Sequence, residues 1–134
     1  MITLDDYLNY WKVHYPQVQV PDDELTDAMR QNAVEVVNKA NNLLTTFGED
    51  RGVASGWRPV EVNRLVPNAA RTSNHMTCQA IDIEDHDGML DDWCCDNVQY
   101  LEMHGLYLEH PASTKGWTHI QIVPPRSGKR IFYP

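Results

Sequence analysis

Two histidines and one aspartate, His75, Asp82 and His119, are the residues of this chain whose types and spacing point to chemistry. Two imidazoles and a carboxylate form a ligand set that catalytic zinc sites use while leaving a fourth position open for water. His75 and Asp82 stand seven positions apart. On one continuous helix that spacing would separate them by roughly 10 Å along the axis, too far to share a metal. A turn feeding a strand brings them together instead. Residues 73–78 are polar and small, whereas Ala80, Ile81 and Ile83 suit a strand. His119 lies in WTHIQIV, where strand alternation puts Trp117, His119 and Gln121 on one face and Thr118, Ile120 and Ile122 on the other.

The elements that must position these residues follow from periodicity. Leu4, Tyr7, Leu8 and Trp11 share a face over residues 3–13, with Thr3 as cap, which predicts a short helix. A longer helix is expected after Pro21, starting in Asp22, Asp23 and Glu24, carrying apolar residues from Leu25 to Phe47 at helical steps and stopping at Gly48. Residues 88–104 predict another, ended by Gly105. Short strands are expected at 53–57, 79–84, 106–109 and 117–123, with 130–133 closing an edge. Helices followed by several short strands imply an α+β fold, with N-terminal helices packed on a small, mainly antiparallel sheet.

At 134 residues the chain suits one domain, 1–134, with one modest core. A net charge of −8 argues against a nucleic-acid partner, because such partners select a basic face. Three cysteines, two of them the adjacent Cys94 and Cys95, do not make a disulfide framework, and reduced, partly buried thiols are expected. The start MITLDDYLNYWKVHYP lacks a basic segment followed by an apolar run, and no stretch approaches the ~18 apolar residues of a membrane span. Synthesis in the cytoplasm without a signal peptide is therefore expected, with no membrane insertion.

The pattern Ser-x-His, then Ala-x-Asp (Ser73, His75, Ala80, Asp82), followed by Trp117-x-His119, resembles the zinc peptidases that cut D-Ala-D-Ala and related peptidoglycan stem-peptide bonds, a superfamily that includes the Hedgehog signalling domain. Residues 55–63, SGWRPVEVN, look like that family's upstream Ser-Gly-aromatic-Arg segment, so the core motifs run from 53 to 123. The resemblance implies one zinc ion on His75, Asp82 and His119 and a peptidoglycan peptide as substrate. Arg58 is then the group to hold a developing oxyanion or a substrate carboxylate. In the dipeptidase branch the catalytic acid stands three positions before the last histidine, which here is Gly116. The Hedgehog branch instead carries a glutamate at the end of the preceding strand, which selects Glu109 as general base, with His110 in reserve. Cys78 occupies a position where the family commonly has Gly, a tolerable change if the backbone there does not need positive φ. As a ligand it ranks behind Asp82.

These readings imply a zinc metallopeptidase acting on stem peptides or cross-links, in the setting of a phage endolysin or a virion-associated hydrolase with other virion proteins as partners. The competing classes are a non-catalytic zinc-binding or virion structural module, which Gly116 keeps open, and a metal-free binding domain. Ser73 and Asn74 are expected to shape the turn before His75, and His14, His86 and His104 to be structural. The acidic cluster of Glu84, Asp85, Asp87, Asp91 and Asp92 reads as a solvated loop and helix start, and Cys94 with Cys95 as core packing.

Overall fold

The computed structural model describes all residues from 1 to 134. It opens with helices α1 (Leu4–Leu8) and α2 (Tyr10–His14), which interrupt the expected single helix at Asn9. Thr3 caps α1 in a full capping box with Asp6, each side chain accepting from the other residue's backbone N–H. Helix α3 (Asp27–Phe47) buries Ala33, Val36, Val37, Ala40, Leu43 and Leu44 along one stripe, and Gly48 ends it at φ 94°. It starts later than the acidic run 22–24 suggests. Thr26 supplies the N-cap by accepting from Met29 N, while the Glu24 carboxylate accepts from the backbone of Val60 in a distant segment.

Strand β1 (Val53–Ser55), a short helix α4 (Val60–Leu65) that the periodicity did not reveal, and strand β2 (Ala80–Asp85) follow. The expected helix over 88–104 is two, α5 (Met89–Asp96) and α6 (Val98–His104). The break is Asn97, whose backbone leaves the helical region and whose amide donates to the Trp93 carbonyl in place of a helical N–H. Strand β3 (Tyr107–Glu109), a single 3₁₀ turn over Pro111–Ser113, β4 (Gly116–Gln121) and β5 (Ile131–Phe132) complete the chain.

The strands form one sheet in the order β1-β2-β4-β3-β5, antiparallel except for the β3–β5 pair. This is the α+β, mainly antiparallel architecture expected from the sequence. One face of the sheet is apolar: Ile81, Ile83, Leu108 and Ile120 are fully buried. Helix α3 packs on β2, α5 on β2 and β4, and α6 on β3, so the helices cover that face. The other face carries the polar residues of the same strands. No helix is long and apolar enough to cross a membrane.

Two expectations fail in detail. Asp85 and Asp91 are not in a solvated loop: both are buried. Asp85 accepts from the backbone N–H groups of Leu90 and Asp91 at the start of α5, from the Thr118 hydroxyl, and from Arg51, so it caps that helix from the end of β2. Glu84, Asp87 and Asp92 are exposed as expected. Cys78, in turn, sits at φ 61°, so the position does demand the left-handed conformation that glycine adopts most easily. Its thiol is fully buried, and burial pushes its pKa up to about 12. All three cysteines are free thiols, and Cys94 is core as expected.

Candidate metal centre

The pairing register assembles the polar face. Between β2 and β4 Asp82 stands opposite His119, and between β1 and β2 Ser55 stands opposite Asp82. In β3, Tyr107 and Leu108 pair with Gln121 and Ile120, and the same register continued one step sets Glu109 beside His119. Glu109 in turn pairs with Phe132 of β5. A single row, Ser55, Asp82, His119, Glu109 and Phe132, thus crosses all the strands. Directly opposed residues hold their Cβ atoms about 5 Å apart, which is the separation at which side-chain heads meet.

His75 reaches this row from a turn. Ser73 Oγ accepts from His75 N at 3.2 Å, and Gln79 N donates to Asn74 O at 2.9 Å, folding 73–79 back on itself as Ser73 and Asn74 were expected to do. The chain must also pass close by at Gly56, where a Cβ would lie 2.1 Å from the Tyr7 carbonyl oxygen; no other residue fits there. The Gly56 carbonyl lies 2.9 Å from His75 Nδ1. A carbonyl only accepts, so Nδ1 carries the proton and Nε2 presents its lone pair to the row.

The side chains of His75, Asp82 and His119 offer ligand atoms within 4.8 Å of one another. Asp82 Oδ1 is 2.8 Å from His119 Nδ1 and 3.3 Å from His75 Nε2. His75 is 2 % exposed, and its Nε2 has no hydrogen-bond partner. An imidazole lone pair and a carboxylate oxygen converging in a buried place repel each other unless a cation lies among them, so the donor set and the orphaned nitrogen fit a metal ion. His119 is backed on its far side by Gln121, Nε2 to Oε1, at 2.9 Å.

Electrostatics follow the same partners. Burial alone would raise Asp82, but His75 and His119 beside it hold the carboxyl well below the usual carboxylate range. Burial pushes His75 down. His119 goes up in spite of burial, because a protonated ring would donate to Asp82 and have its charge attracted there. Glu109 is raised by burial, with His119 and Arg58 opposing the shift.

An open cleft of about 500 Å³ lies over this row, bounded by the 66–74 segment on one side and Trp117 and Phe132 on the other. A narrower aromatic cleft of about 250 Å³, walled by Tyr10, Tyr15, Trp57 and Trp117, joins it at Arg58 and Asp82. The model of the family described as Peptidase M15 matches residues 14–121, most of the chain. The chain belongs to the peptidase M15 family. These are D-Ala-D-Ala carboxypeptidase-like zinc peptidases, and membership makes the chain a hydrolase by descent. No curated protein and no solved structure matches this M15 chain.

Within this M15 domain the other sequence candidates lie as follows. Arg58 reaches Asp82 Oδ2 at 3.4 Å, donates to Ser55 Oγ at 3.1 Å and approaches Asn63 Oδ1 at 3.5 Å. Glu109 Oε2 lies 3.8 Å from His119 Nδ1 at the cleft wall. His110 is turned away: its Nδ1 accepts from Ala112 N and its ring stacks on Tyr133, which removes the reserve base from the cleft. Cys78 lies in the apolar core, outside the metal cluster. Gly116 is exposed at the start of β4, at φ 101°. Sequence reasoning missed Asn63, which ties Arg58 to the 66–74 segment by donating to Ala70 O at 2.9 Å, and the Gly56 carbonyl. Asn63 carried no signal because α4 went unrecognised. Gly56 carried a faint one, since a glycine before an aromatic and an arginine marks a close approach.

Proposed function

We propose that residues 1–134 act as one peptidase unit that hydrolyses peptide bonds of bacterial peptidoglycan stem peptides or cross-links, with His75, Asp82 and His119 holding one zinc ion. The observation that carries this reading is the row across the sheet, which with His75 reaching it from a turn gathers three lone-pair donors and a second acid, Glu109, at an open cleft. A zinc ion in such a site supplies a lowered pKa for a bound water and polarisation of the scissile carbonyl.

The chain's own residues do the rest. Glu109 Oε2 accepts the proton that the attacking water loses as its oxygen bonds to the carbonyl carbon. The same oxygen returns that proton to the amide nitrogen as the C–N bond breaks. Arg58 uses three N–H groups to reach Ser55, Asn63 and Asp82, which hold its guanidinium flat beside the metal ligands. Its remaining two N–H groups are free to meet the developing oxyanion or a substrate carboxylate. Trp117 and Phe132 exclude water from the sides of the reacting centre.

The test is incubation of the purified protein with peptidoglycan sacculi, identification of released peptides by mass spectrometry and metal analysis of the same sample. Release by the wild type, lost by about a hundred-fold or more in Glu109→Gln with zinc retained, is the expected result. Full activity in Glu109→Gln would overturn the role of Glu109. Stoichiometric zinc without any released peptide would favour the non-catalytic module, for which Gly116 at the acid position of the dipeptidase branch speaks. An endolysin or virion-associated setting belongs to the same proposal, and lysis of outer-membrane-permeabilised bacteria by protein added from outside is its expected readout.

A further inference from the structure

His119 differs from His75 in the nitrogen it presents. His75 offers Nε2 and is held from behind at Nδ1 by a backbone carbonyl. His119 offers Nδ1, and the atom behind it is a side-chain oxygen: Nε2 lies 2.9 Å from Gln121 Oε1. An amide side chain can rotate to present either a donor or an acceptor, so the contact alone does not say where the ring proton sits. The next contact decides it. Gln121 Nε2 donates to Val123 O at 2.8 Å, and a backbone carbonyl accepts only. The amide cannot flip without facing oxygen to oxygen there. Gln121 is 5 % exposed, at the edge of the cleft, so its amide is held mainly by these two contacts.

From this chain of contacts we infer that Gln121 is a positioning residue that sets the tautomer of His119, keeping the proton on Nε2 and the lone pair of Nδ1 toward Asp82 and His75. The competing arrangement has the single proton of a neutral ring on Nδ1, bonded to Asp82 Oδ1 at 2.8 Å, which closes the ligand position. With Gln121 in place that arrangement leaves the Nε2 lone pair against the Gln121 oxygen, two acceptors 2.9 Å apart in a buried site. The amide therefore penalises the closed form, while the open one is satisfied at Nε2 and keeps the Nδ1 lone pair beside Asp82 Oδ1 for a cation to bridge. Strand alternation makes the device possible, because residues 119 and 121 share a face, and β4 ends at Gln121, which frees Val123 to turn back toward the amide.

This inference rests on the metal reading of the preceding section, but one of its measurements does not. The variants are Gln121→Met, close in shape without an acceptor, and Gln121→Glu, which restores an acceptor. Zinc affinity is measured by competition with a chromophoric chelator, and the proton on His119 Nε2 is observed by ¹⁵N–¹H correlation of the imidazoles with and without zinc. Binding about 10- to 100-fold weaker in Gln121→Met, with Gln121→Glu near wild type, is expected, as for loss of a ligand's outer hydrogen bond. In the same spectra the slowly exchanging Nε2–H of wild type is expected to disappear in Gln121→Met and to persist in Gln121→Glu. Unchanged affinity and an unchanged Nε2–H in Gln121→Met would overturn the inference, as would equal weakening in both variants. If Gln121→Met does not fold, Gln121→Glu carries the test and must keep both the affinity and the Nε2–H signal. Failure of the wild type to bind zinc would overturn the metal reading alone, since the Nε2–H signal of the metal-free protein still decides what Gln121 does.

Discussion

Asp82 and Asp91 are both aspartates buried against the same sheet, at 6 % and 3 % exposure, yet their carboxyls are driven in opposite directions. Asp82 meets two imidazoles and a guanidinium and is held ionised. Asp91 receives the Thr114 hydroxyl on one oxygen, has no partner on the other, and is pushed up to about 6 by burial, with Asp85 and Asp92 adding repulsion. Burial is common to both, so partners decide. Asp85, between them in sequence, shows the third outcome: a buried carboxylate whose two oxygens accept from Arg51, Thr118 and two helix N–H groups. The first of these acids belongs to the candidate metal site, the second is tolerated at a cost, and the third holds α5 to the sheet.

The sharpest way to break the contrast is Asp82→Asn. It removes the negative charge from the donor set, and hydrolysis of peptidoglycan is expected to fall more than about a thousand-fold with loss of zinc. Metal analysis and peptide release check it. Retained zinc at full stoichiometry would place the metal elsewhere. Asp85→Ala comes next and acts on stability: two helix N–H groups, a buried hydroxyl and Arg51 lose their acceptor together, at about 3 kcal/mol, read from urea unfolding. A shift below about 1 kcal/mol would mean that α5 is capped by something else.

The smallest effect sharpens the contrast through pH. The folded-state pKa of Asp91 is raised above its unfolded value of about 4, so folding binds a proton there. The stabilisation from that proton is fully present below about pH 4 and is lost as pH rises through about 6. Asp91→Asn removes this dependence. The variant is expected to be more stable than wild type by about 1 kcal/mol at pH 7.5, the difference shrinking toward zero near pH 4, by urea midpoints at both pH values. A difference that does not vary with pH would show that folding does not shift the Asp91 pKa.

Much of the site was readable along the chain because it is local. His75, Asp82 and His119 announce themselves by type, the alternation of WTHIQIV assigns Trp117, His119 and Gln121 to one face, and Thr3, Gly48 and Gly105 mark helix ends at the places where the helices do start and stop. Breaks at Asn9 and Asn97 were not readable, since asparagine is tolerated inside helices and only its contacts show where it interrupts one. The acidic run 84–92 looked uniform, and its division into exposed and buried members depends on which residues β4 and α5 lay over it.

The amino-acid order determined the candidate ligands, the faces of their strands and the α+β class, all of which depend on neighbours within a few residues. The tertiary structure decided that Asp82 pairs with His119, 37 positions further along the chain, that β3 lies beside β4 so Glu109 reaches the same row, and that Gly56 and Gln121 stand behind the two imidazoles. Register explains the difference. A strand's own pattern says which side chains share a face, but a shift by one residue against its partner would turn the opposing set over. Only the packed sheet, with Ile81, Ile83 and Ile120 buried on one side, selects the shift that sets Asp82 beside His119 on the other, where the 73–79 turn brings His75 to them.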